Sequence, residues 1–141
     1  MSRCFAYALR LRPGDDLRQS LVAYVQAQGI EAGAMLTCVG SLTDVCLRLA
    51  NHDAPTRWHG HFEIVSLVGT LSASGGSHLH LSVSDGTGHT LGGHLLDGCR
   101  IYTTAEIVLA ALPALQFTRE VDPTYGYREL VVRPSNPEPT K

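Results

Sequence analysis

Lysine is all but missing from this 141-residue sequence: Lys141, the last residue, is the only one, and the ten arginines stand singly along the chain. With 11 basic against 13 acidic side chains and a net charge of -2, no run of positive charge offers the footprint that sequence-independent phosphate binding requires. A nucleic-acid face of the ordinary basic kind is thereby excluded. No apolar window approaches the roughly 18 residues of a membrane span, and the first residues hold no apolar run long enough for a signal peptide, so the expected compartment is the cytoplasm. The four cysteines, Cys4, Cys38, Cys46 and Cys99, lack any C-x-x-C spacing, which leaves out zinc ribbons and thioredoxin-type redox motifs; reduced, mostly buried thiols are expected. No Gly-x-Ser-x-Gly elbow or P-loop occurs, and the glycines at Gly86 and Gly88 lack the third one of a dinucleotide fingerprint.

What is present is a globular composition, 44% apolar and 17% charged, of a length that suits one domain with its own core. That domain is expected over residues 1–133, with a disordered tail from Pro134 to Lys141 that carries three prolines. Cys4 to Leu11 alternates as a half-buried strand, ended by Pro13 and Gly14. Asp15 or Asp16 then offers an N-cap, and Leu17, Leu21, Tyr24 and Val25 recur at helical spacing up to Gly29, which predicts one amphipathic helix of about 13 residues.

Beyond Gly33 the period is two. Ala34 to Val39 and Val45 to Leu49 read as two strands broken at Gly40 and Ser41, and Trp58 to Leu71 as one long strand or two interrupted at Gly69. His78 to Ser84 and Thr90 to Leu96 flank a glycine-containing turn and predict a β-hairpin. A strand from Cys99 to Thr104 follows; Ala105 to Leu112 fits its continuation or a short helix, and Gln116 to Val121 with Glu129 to Arg133 is expected to finish the sheet. The fold class expected is α+β: a mainly antiparallel twisted β-sheet with one N-terminal amphipathic helix packed on it and few short helices besides.

Seven histidines is a high count for this length, and three of them fall in the predicted hairpin. His78 and His80 share one face of their strand, while Leu79, Leu81 and Val83 take the core face. If the connection has an odd number of residues, three (86–88) or five (85–89), His80 lies directly across from His94 and His78 diagonally, with Cβ atoms about 5 Å and 7–8 Å away. Three imidazoles then converge on one ion, and three protein ligands with an open position is the pattern of catalytic zinc. An even connection sends His94 to the other face. Gly92 and Gly93 in mid-strand mark a close backbone approach or a bulge. His59 and His61 form a second H-x-H, with Glu63 on the same face; without a third histidine at a suitable spacing they read as solvated strand residues.

Taken together, Arg12–Leu17 (RPGDDL), Val39–Ser41 (VGS), Phe62–Leu71 (FEIVSLVGTL), His78–Val83 (HLHLSV), Gly92–Cys99 (GGHLLDGC) and Thr104–Glu106 (TAE) resemble the plant and prokaryote conserved (PPC) domain family, over roughly residues 3–133. The resemblance implies an α+β fold that assembles as a homotrimer, with a metal, usually zinc, at the positions of His78, His80 and His94. Acetolactate decarboxylase looks like a distant structural relative that also holds zinc with an H-x-H and a following histidine. That likeness suggests an enzyme, and Glu106, in the matching Thr-Ala-Glu motif, is a candidate catalytic acid or base near the metal. The reading that results is a zinc-binding protein with a three-histidine site that acts on or binds a small carbonyl or carboxylate metabolite, a zinc-dependent lyase or hydrolase being the enzyme classes open to it. The alternative is a trimeric regulatory, DNA-associated module with a structural metal. Direct contact with DNA is not expected of this chain, which has no Arg-Gly-Arg-Pro hook, and neither is contact with a membrane.

Overall fold

Asp16 opens the helix of this computed structural model, which describes residues 1–135. Its carboxylate accepts the amide of Gln19 at 3.0 Å as an N-cap and the amide of Gly98 at 2.6 Å, so a buried charge is satisfied while it ties the helix to a distant turn. The helix α1 (Leu17–Ala27) follows the strand β1 (Phe5–Leu11), and its spacing puts Leu17, Leu21 and Val25 in the core. Each such side chain contributes about 1.5–3 kcal/mol of burial. Gly29, at φ +63°, stops it: the Ile30 amide reaches back to the Val25 carbonyl, the bond that closes a Schellman end.

Seven strands come after: β2 (Gly33–Arg48), β3 (Pro55–Ser72), β4 (Gly76–Ser84), β5 (Thr90–Leu95), β6 (Arg100–Ala111), β7 (Leu115–Val121) and β8 (Arg128–Pro134). The break expected at Gly40 and Ser41 does not occur; β2 runs through it, and β3 runs through Gly69. A side chain at Gly40 would collide with the carbonyl oxygen of Thr104, and one at Gly69 with that of His78. These glycines answer a close approach of the neighbouring strand, which is the other meaning a mid-strand glycine has. The stretch from Ala105 continues β6 and forms no helix; α1 is the single helix among the described residues.

Six strands form one antiparallel sheet in the order β1-β6-β2-β3-β4-β5, and β5 also pairs with the end of β2 through Leu47↔Leu95 and Arg48↔His94. That end of the sheet therefore closes on itself around Leu47, Leu81 and Leu95, all at most 1% exposed. The α+β class and antiparallel sheet are as expected. The placement of the last two strands is not: β7 and β8 pair only with each other as a separate ribbon. The reason lies in β6, whose two edges are already taken by β1 and β2, so the following strand has no free edge beside it. Of the predicted tail, Pro134 belongs to β8 and the Ser135 amide bonds Ala114; residues 136–141 lie outside the described residues.

No helix among the described residues is long and apolar enough to cross a membrane. All four cysteines are free; Cys38, Cys46 and Cys99 are buried and Cys4 is exposed. Burial pushes the thiols of Cys38 and Cys99 up to about 12, and a thiol is reactive only as accessible thiolate. Brief iodoacetamide treatment of the native protein near neutral pH is therefore expected to add one adduct, on Cys4, by mass spectrometry. Four adducts are expected after unfolding in urea, and a second adduct in the native state would contradict the packing of the three buried thiols.

Candidate metal centre

The centre is set by the parity of one turn. Between β4 and β5 the connection has five residues, 85–89. The Asp85 carboxylate accepts the amides of Thr87 and His89, the Asp85 amide donates to the His89 carbonyl, and Gly88 takes φ +83°, a conformation that suits glycine. The odd length leaves His80 directly opposite His94. Leu79, Leu81 and Val83 go to the core as the alternation requires, which turns His78 and His80 outward. Glycines on β5 are needed for the fit, because a Cβ at Gly93 would stand 2.8 Å from the Arg48 carbonyl oxygen and one at Gly92 3.0 Å from that of Leu81. With them, β5 lies between β4 and β2 and carries His94 to the other two rings.

One ring nitrogen from each of His78, His80 and His94 lies within 4.8 Å of the others. The Nε2 atoms of His78 and His80 are 3.1 Å apart, close to the roughly 3.3 Å between two nitrogens on a tetrahedral ion with bonds of about 2.0–2.1 Å. His94 Nδ1 is buried without a hydrogen-bond partner among the described residues, which is costly for a polar atom in a folded core. Burial, then the charge of Arg48 and the other two histidines, pushes the His94 imidazole down to about 4; burial followed by Arg119 and His80 lowers that of His78. Neutral imidazole is the form that ligates metal. The donor set, its spacing and the orphaned nitrogen all fit one divalent transition ion.

The other candidates lie elsewhere. Glu106 sits on β6 across from Arg10 and Val39, and two strands, β2 and β3, separate β6 from β4. At about 4.8 Å per strand that is roughly 14 Å within one chain, so Glu106 lines a different cleft, with Glu63 and Tyr102. His59 Nδ1 is 2.8 Å from the Asp44 carboxylate, and His61 stacks on Tyr102 at 4.5 Å between centroids; neither joins a third metal-ligating group among the described residues. What sequence reasoning missed is the company the histidines keep. A cleft of about 340 Å³ next to His78 and His94 is bordered by Arg48, Arg119 and Arg128, arginines that stand singly in the sequence and meet only through the closure of β5 on β2 and the docking of the β7–β8 ribbon.

Comparison with known proteins places this architecture in company. The sequence model of the Plants and Prokaryotes Conserved domain matches residues 2–113. The Bifunctional protein GlmU of Synechococcus sp. (strain JA-2-3B'a(2-13)) is 47% identical over 133 residues, 94% of this chain and 21% of that protein; the chain spans about a fifth of the length of the curated relatives it matches first. Among solved structures, a hypothetical protein from Salmonella cholerae-suis (Salmonella enterica) has a TM-score of 0.94 at 46% identity, covering 96% of this chain and 98% of that one. A metal-containing protein from Archaeoglobus fulgidus has a TM-score of 0.77 at 21% identity, covering 90% of this chain and 93% of that one, a likeness of fold alone.

Proposed function

The chain belongs to the Plants and Prokaryotes Conserved domain family, and from that membership we propose that it is a metal-binding protein whose His78, His80 and His94 hold one divalent transition ion, zinc in the first place. The observation that carries the reading is the buried His94 Nδ1, which has no hydrogen-bond partner among the described residues and belongs to a cluster of three imidazoles at metal-ligand spacing. The structural relative described as metal-containing supports it. A closed structural zinc site takes four protein ligands, whereas this cluster gathers three, which favours an open position over a purely structural role. An ion held so acts as a Lewis acid on a carbonyl or carboxylate oxygen. The protein's own part is to fix three imidazoles on a closed sheet end and to leave a small cleft beside them, suited to a small carbonyl or carboxylate metabolite. Equilibrium dialysis of the purified protein against zinc tests the reading: one ion per chain is expected, and no uptake near neutral pH would overturn it.

The working form we propose is a homotrimer. Leu36 and Val39 on β2 and Val65 and Val68 on β3 are more than half exposed, although both strands lie inside the sheet and Cys38 and Leu67, on their other face, are buried. Central strands with large apolar groups in water are uncommon in monomers of this size. Light scattering is expected to report three times the 15.2 kDa chain mass. A monomer at micromolar concentration would reject the assembly.

A further inference from the structure

The arginines beside the histidines raise an electrostatic question. The cleft of about 340 Å³ at His78 and His94 is bordered by three arginines against one carboxylate, that of Glu129. Neutral imidazoles add no negative charge, so a divalent ion on them would sit next to an excess of like charge, and such an arrangement is favourable only with an anion between the groups.

The arginines are also placed by the same registers that place the ligands. Arg48 stands directly across from His94 in the β2–β5 pairing. Arg119 Nη2 donates to Thr70 Oγ1 at 2.9 Å, and Thr70 stands directly across from His78. Arg128 Nη1 in turn donates to the Arg119 carbonyl at 3.2 Å. Opposed residues in a sheet have Cβ atoms about 5 Å apart, so each of two ligands has a guanidinium attached to its nearest strand neighbour. Two of the three arginines come from β7 and β8, which begin at Leu115 and lie beyond residues 2–113 matched by the family.

We propose that this cleft is an oxyanion site: Arg48, Arg119 and Arg128 take the anionic group of a small organic acid or phosphate, and the β7–β8 ribbon supplies this selectivity to a metal site that the family match already contains. The inference rests on the metal reading for what the anion meets at its other end. Guanidinium groups suit it, since they offer paired donors to carboxylate and phosphate oxygens alike.

Calorimetry with pyruvate and with inorganic phosphate, on zinc-loaded and on metal-free protein, tests it and tells the two anion types apart. At least one of them is expected to bind once per chain. Arg48→Gln and Arg119→Gln are each expected to weaken that binding about tenfold or more, with zinc content and circular dichroism unchanged. Arg48 makes no side-chain hydrogen bond to any described residue, so its variant carries no folding penalty from a lost partner. Acetone, which has the carbonyl without the charge, is expected to show no heat. If neither anion binds, if both variants bind as the wild type does, or if acetone binds as well as pyruvate, the oxyanion site is refuted. Zinc uptake is read separately by dialysis. A wild type that takes no zinc yet loses anion binding in the two arginine variants would overturn the metal reading and uphold this one.

Discussion

Replacing His94 by alanine is expected to abolish stoichiometric zinc binding and leave the sheet folded. Apparent zinc affinities of about 10–16 kcal/mol in small sites, divided among three or four ligands, put the loss of one at about 3 kcal/mol or more, which is over a hundredfold in affinity. The fold should tolerate the change. His94 is half-buried at the edge of the closure, its Nδ1 has no protein partner among the described residues to lose, and the β5 backbone pairs with both β4 and β2 whatever the side chain. His78→Ala and His80→Ala should behave alike, since those rings stand outside the core. Elemental analysis with circular dichroism decides the matter. Full metal content in the His94 variant would move the site elsewhere, first to His59 and His61.

That a three-histidine centre was legible from the chain at all comes down to parity. Alternation along a strand is local, so His78 and His80 share a face whatever the rest of the chain does, and the count of residues from Asp85 to His89 decides the face of His94. The helix was legible for a similar reason: Asp16, the spacing of Leu17, Leu21 and Val25, and Gly29 act within a few turns of one another. Contacts between strands far apart in sequence were not. Gly40 and Gly69 looked like breaks because their meaning depends on Thr104 and His78, the strands that approach them. The ribbon of β7 and β8 looked like more sheet because alternation reports a face and says nothing of which edge is free. Arg48, Arg119 and Arg128 looked like scattered surface charge, and only the return of β5 to β2 and the placement of the ribbon bring them to the histidines. Glu106 was placed beside the metal by the resemblance alone, and within one chain two strands, β2 and β3, stand between its strand and that of His78 and His80.

Gly69→Ala is expected to be among the most disruptive single methyls in the described residues, and to strike the metal centre from behind. Gly69 pairs with Leu79, between the Val68↔His80 and Thr70↔His78 pairs, and its φ of +138° is one that residues with a Cβ rarely adopt. The added carbon would overlap the carbonyl oxygen of His78 and crowd its carbonyl carbon and the Cα of Leu79 at 2.9 Å. All of these are backbone atoms held by a ladder, so no side chain can turn aside to make room. Relief requires β3 and β4 to part where β4 presents His78 and His80, and a shift of either ring spoils a constellation that tolerates little misplacement. Strained backbone and overpacking together put the cost at about 2–4 kcal/mol, read as a lower urea midpoint, with zinc affinity falling in the same variant. Gly86→Ala supplies the control: no atom lies within 4 Å of its added carbon and its φ is not in the positive region, so its unfolding free energy should stay within about 0.5 kcal/mol of the wild type. A Gly69→Ala protein that unfolds at the wild-type midpoint and keeps its zinc would mean that β3 and β4 are not as close at His78 as their pairing requires.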